Sequence, residues 1–213
     1  DIRVKEALVW TLMRVVSGRD GVDILSINGI VNYLILSFKE NVDSYNESMF
    51  KLIHLFVETF SYILFDVETH NFFMETNFIR TLGHILELFI HSPKILGPRS
   101  QDICASTLEC MYLLSISDCF KVEIVNNRLE PSFTTLLRSP NENIVNNCIR
   151  VMMFSSINAL GRKQIIDHDN HELLRVIKSF ETSKSNLISE NIEELLETLA
   201  EDVLRFETIY QSL

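Results

Sequence analysis

Apolar residues return every three or four positions along almost the whole chain, and polar residues fill the opposite helical face. Val4, Ala7, Leu8, Leu12, Val15 and Val16 open the pattern. Val22, Ile24 and Leu25 then lead to a break at Asn28 and Gly29, where glycine can take the left-handed conformation that ends a helix. A nearly all-apolar helix follows from Ile30 to Phe38 and reaches about Glu40. Leu52, Ile53, Phe56, Val57, Phe60, Ile63 and Leu64 predict the next helix, wide enough to be buried on more than one side. Further helical segments are predicted after Asn77, from Gln101 to Ile116, over Val122–Asn127, Phe133–Leu137, Ile144–Phe154, Gly161–Asn170 and Leu173–Ile177, and last from Leu187 to Tyr210. The stretch from Ser92-Pro93 to Gly97-Pro98 breaks the helical rhythm. Ser17 with Asp20, Ser44 with Glu47, and Ser139 with Pro140 and Glu142 have the spacing of N-terminal capping boxes, so helices are expected to start there. The fold class is all-α.

One phrase recurs. Aligned on the polar residue that ends a short helix, Ile24 to Asn28, Phe73 to Asn77, Val122 to Asn127 and Ile165 to Asp169 are separated by 49, 50 and 42 residues. The first and last copies align without a gap at an offset of 141, pairing Val4 with Val145, Ala7 with Cys148 and Gly29 with Asn170. A period in the forties built from two or three helices marks a stacked solenoid, because one helix pair cannot bury its apolar faces alone. The run from Val4 to Leu12, followed by Ile24 to Leu34, resembles the second and third helices of an armadillo repeat. The resemblance implies a right-handed α-solenoid of about four degenerate repeats, over 1–42, 43–91, 92–138 and 139–180, then a polar linker at 181–186 and an acidic amphipathic capping helix at 187–213. Trp10 is the only Trp, and Arg14 stands where the groove ladder of nuclear-import adaptors places Asn. The chain begins in helical rhythm at Asp1 and reads as a piece of a longer solenoid.

Charge narrows the function. The formal net charge is −10, and residues 187–213 alone carry −6. Such a balance argues against phosphate-backbone binding, which needs clustered Lys and Arg, so no nucleic acid is expected. No apolar run reaches the ~20 residues a membrane span needs. Cys104, Cys110, Cys119 and Cys148 form no C-x-x-C pair and read as reduced, buried thiols of a cytoplasmic protein, with nuclear or cytoskeletal association the alternative. His168, Asp169 and His171 lie too few and too close for a zinc site, and no phosphate-binding glycine loop is present. His54, His84 and His91 stand alone, with no nucleophile positioned near them.

No enzyme activity, cofactor or metal is therefore expected. The resemblance implies a scaffold or adaptor that binds a protein segment on its concave face, lined by the third helix of each repeat. On that reading the contact residues are Asn32, Lys39, Arg80, His84, Arg138, Arg175 and Lys178, a mildly basic groove for an acidic or amphipathic segment. The alternatives are an architectural subunit of a cytoskeletal or axonemal assembly, or an autoinhibitory domain of a longer chain. The last helix could also dimerise or dock a partner.

Overall fold

The structure, a computed structural model, describes residues 1–18, 20–90, 98–169, 171–181 and 185–211, with side chains given for these except 98–99 and 201–211. The Ser92-to-Gly97 break, Asn170, and the side chains of Val203, Phe206, Ile209 and Tyr210 lie outside the described residues. Twelve helices and no strand are present among the described residues: α1 (Ile2–Val16), α2 (Gly21–Ile27), α3 (Ile30–Asp43), α4 (Phe50–Leu64), α5 (Phe78–Ile90), α6 (Pro98–Ser115), α7 (Asp118–Asn126), α8 (Glu130–Leu136), α9 (Glu142–Ser156), α10 (Ala159–Asp167), α11 (Glu172–Lys178) and α12 (Asn186–Gln211). Tight 3-10 turns cover Glu47–Met49 and Val67–Phe72, the second standing where the other groups have a short helix. Long, short and intermediate elements thus alternate along the chain. No single helix is long and apolar enough to cross a membrane, among the described residues.

The chain forms two compact units, Asp1–Ser117 and Asp118–Leu213. In the first, α1 packs on α4 and α4 on α6, giving a layer of long helices, while α3 packs on α5 and α4. Their shared core is aromatic. Phe38 of α3, Phe56 and Phe60 of α4, Phe73 and Phe78 are all buried. The Phe60 ring stands edge-on to Phe38, Phe73 and Phe78, with centroids 5.2, 5.6 and 5.1 Å away. Edge-to-face pairs at such spacing add about 0.5–1.5 kcal/mol each beyond burial. His70 pins the turn after α4 to the end of α6, its Nε2 lying 3.0 Å from the Leu64 carbonyl oxygen and its Nδ1 2.7 Å from Ser117 Oγ. In the second unit α12 packs along α9, α10 against both, and α8 against α9 and α11.

Two glycines let the chain turn closely past the end of a long helix. A Cβ on Gly21 would sit 1.8 Å from the Val15 carbonyl oxygen, and one on Gly161 would sit 2.2 Å from that of Ser155. Asparagine and aspartate do the capping. Asp1, Asn46, Asp66, Asn141 and Asn158 each accept a backbone N–H two residues on, at 2.8–3.1 Å. The capping boxes expected at serine are not formed. Ser17 and Ser44 end α1 and α3, donating their hydroxyls back to the Arg14 and Glu40 carbonyls. Ser139 accepts from Asn141 N–H, and α9 begins after Asn141 rather than at Pro140.

Truncating the hub of the aromatic cluster tests its weight. Phe60→Ala is expected to cost about 3–5 kcal/mol, the range for large-to-small changes in a closed core. Denaturant unfolding measures it; a loss below about 1 kcal/mol would show that the cluster does not hold the first unit.

Candidate protein-binding face

The long-helix layer of the first unit turns one strip outward. Ten of the fifteen residues of α4 are buried. Those left more open, Lys51, His54, Glu58 and Tyr62, with Phe65 at the helix end, recur at i, i+3, i+7, i+11 and i+14 and share one face. On α1, Arg3, Trp10 and Arg14 repeat that spacing. A 3.5 Å ion pair between Glu6 Oε2 and Lys51 Nζ joins the two strips. On α6 the more open positions include Asp102, Glu109 and Tyr112. Trp10, Tyr62 and Phe65 are 53%, 40% and 70% exposed, unusual for large aromatics beside a core this well filled. Residues 1–117 hold nine Lys and Arg against fourteen Asp and Glu, so the face sits in an acidic unit.

The seven residues expected to contact a partner lie elsewhere, on or next to the shorter helices. In the first unit Asn32 on α3 is exposed, as are Arg80 and His84, one turn apart on α5. Lys39 is half-buried, its Nζ donating to the Thr76 carbonyl. In the second unit Glu172 gathers Arg138 and Arg175, the latter at 3.7 Å, and Lys178 is exposed nearby on α11. The structure thus brings together Arg138 with Arg175, and Arg80 with His84, within separate units. Tyr62, Phe65 and Glu58 were missed because α4 reads as apolar all round. The signal was present: its few polar positions and Tyr62 keep strict helical spacing.

No metal-binding group of three or more His, Cys, Asp or Glu occurs among the described residues. His171 Nδ1 lies 2.6 Å from the Ile166 carbonyl oxygen, so this histidine serves the turn between α10 and α11. Cys104, Cys110 and Cys148 are buried, and burial pushes the Cys104 thiol up to about 12 and raises the other two. Cys119, expected to be buried, is exposed on α7.

No protein-family model matches the chain, and no curated protein matches it. Solved structures do. A designed armadillo repeat protein in complex with peptide (KR)4 is 13% identical, with 92% of this chain and 76% of that one covered at a TM-score of 0.70. An engineered protein at 15% identity covers 94% of this chain and 45% of its own length at 0.73, and another at 14% covers 93% and 76% at 0.70. The fold is an armadillo-type helical repeat. Identities this low carry the fold and not a function.

The armadillo register corrects the single offset of 141. α9 begins 140 residues after α1, and Gly161 occupies the place of Gly21. α11 begins 142 residues after α3, and both are preceded by a left-handed residue at φ 68°, Gly29 and His171. Gly29 therefore matches His171 rather than Asn170, and the fourth short helix, α10, has two extra residues.

Within α8 of this fold, Glu130 is buried, which raises its carboxyl above the usual range; its own backbone amide, His168 and Arg128 pull the other way. The folded state holds that proton where the unfolded chain has lost it. Stability is therefore expected to fall as pH rises from the ordinary glutamate range through the raised pKa, then level off. Glu130→Gln should remove the slope and melt higher than wild type at neutral pH but not at pH about 4. Parallel melting curves at both pH values would refute the assignment.

Proposed function

We propose that this chain is a non-enzymatic scaffold that holds an extended polypeptide segment against the outward strip of α1, α4 and α6. The carrying observation is the exposure of Trp10, Tyr62 and Phe65 on one helical layer. Rigid aromatics of this kind supply most of the energy at protein interfaces, and their ring faces attract Lys and Arg. Glu58 on the same strip and the acidic balance of the unit favour a basic segment. The solved likeness to an armadillo protein carrying a (KR)4 peptide supports the same chemistry.

The second reading is the face of the shorter helices, favoured by the Arg138–Glu172–Arg175 cluster, which would take an acidic segment. One titration separates them. Trp10 is the only Trp, so its emission reports directly on the long-helix face. Addition of (KR)4 should shift and quench that emission, and Tyr62→Ala with Glu58→Lys should weaken the response about tenfold or more. An unmoved Trp10, with an acidic octapeptide binding instead and lost in Arg138→Glu/Arg175→Glu, would transfer the site to the shorter helices. No response to either peptide would favour an architectural role in a larger assembly.

A further inference from the structure

The second unit carries a groove that the proposed face does not use. It runs beside α12, encloses about 540 Å³, and is lined by Ile192, Leu196 and Ala200 together with Glu181, Glu193 and Glu197. Ile192, Leu196 and Ala200 recur at i, i+4 and i+8, so the floor is a straight line about 12 Å long on one helix. Glu193 and Glu197 form a parallel line one residue round, and Glu181 adds a third carboxylate from the end of the α11 segment. Between Asn186 and Ala200 the helix has four Glu and no Lys or Arg. Glu190 with Glu194, and Glu193 with Glu197, are like charges one turn apart, an arrangement that destabilises a free helix.

The helix contacts already made inside each unit have a different chemistry. Where α12 meets α9, Asn191 Nδ2 donates to Asn146 Oδ1 at 2.7 Å beside buried Ile188, Leu195 and Leu199. Where α1 meets α4, Glu6 faces a cation, Lys51. The open flank of α12 offers an apolar line of the same kind with carboxylates and no cation of its own. We infer that this flank docks a basic amphipathic helix from a partner protein, its apolar residues at i and i+4 lying along Ile192, Leu196 and Ala200 and its Lys or Arg pairing with Glu181, Glu193 and Glu197. A second copy of this chain does not fit, because a two-fold contact on this flank sets Glu193 and Glu197 against themselves.

The test uses the 213-residue chain and two synthetic helices of about 16 residues, about 24 Å long, with Leu at i and i+4 flanked by Lys in one and by Glu in the other. The Lys helix should bind, measured by fluorescence anisotropy, and weaken with salt. Glu193→Lys/Glu197→Lys, both exposed and expected to fold, should lose about tenfold or more and gain the Glu helix. The control Glu40→Lys/Asp43→Lys makes the same charge change on α3, in the other unit. Equal losses in the two variants would reduce the effect to net charge and overturn the proposal, as would unchanged affinity in the α12 variant. Sedimentation that shows a dimer broken by Glu193→Lys/Glu197→Lys would overturn it in favour of self-association. Because the groove and Trp10 lie in different units, either site can fail without the other.

Discussion

Phe60 cannot be buried by the helix that carries it. Its ring is enclosed only because Phe38 arrives from α3, Phe78 from α5 and Phe73 from the turn between α4 and α5. The first unit therefore depends on helices closing round α4, and the layer α1–α4–α6 follows from that need. A central helix enclosed on three sides retains one strip for solvent. In α4 that strip is Lys51, His54, Glu58, Tyr62 and Phe65. Stacking that buries the phenylalanines also fixes the direction in which Tyr62 points.

Turning the chain from one layer to the next imposes the second set of constraints. Each intermediate helix is approached through a left-handed residue: Gly29 before α3, Asn77 before α5, Arg128 shortly before α8 and His171 before α11. Glycine and asparagine take this conformation at low cost, whereas arginine and histidine take it against a penalty that the packed helices must outweigh. Gly21 and Gly161 meet a steric limit of another kind, set by the carbonyl at the end of the preceding long helix. Degenerate wording with constant geometry is the outcome. Thr69, in the second group, places its hydroxyl 2.8 Å from the Ile63 carbonyl oxygen and hydrogen-bonds there, in the position that Gly21 leaves empty beside Val15.

Helical character was legible from the chain because burial on one face repeats every three or four residues, a property local to each segment. The phrase ending at Gly29 was legible for the same reason. Helix starts were not. Ser17, Ser44 and Ser139 have capping-box spacing, yet each stands at or beyond the end of the preceding helix, and Asn46 and Asn141 reach the free amides first. The register between the first and fourth groups was averaged to 141 because two residues are gained inside α10, after the long helices had already aligned at 140. The outward strip was hidden for a non-local reason. Tyr62 and Phe65 count as apolar in any periodicity reading, and only the packing of α1 and α6 against α4 shows that they are left outside. Glutamates on α12 were legible as an acidic face; the groove beside them depends on where the α11 segment ends.

Radical footprinting of the chain within its native assembly probes the outward strip most directly, since it reads side chains rather than backbone. Partner engagement on the long-helix layer predicts that Trp10, Tyr62 and Phe65 lose reactivity in the assembly while Tyr33 and Leu36, exposed on α3, keep theirs. Protection of Tyr33 and Leu36 with Trp10, Tyr62 and Phe65 still reactive would contradict the account and place the working surface on the shorter helices.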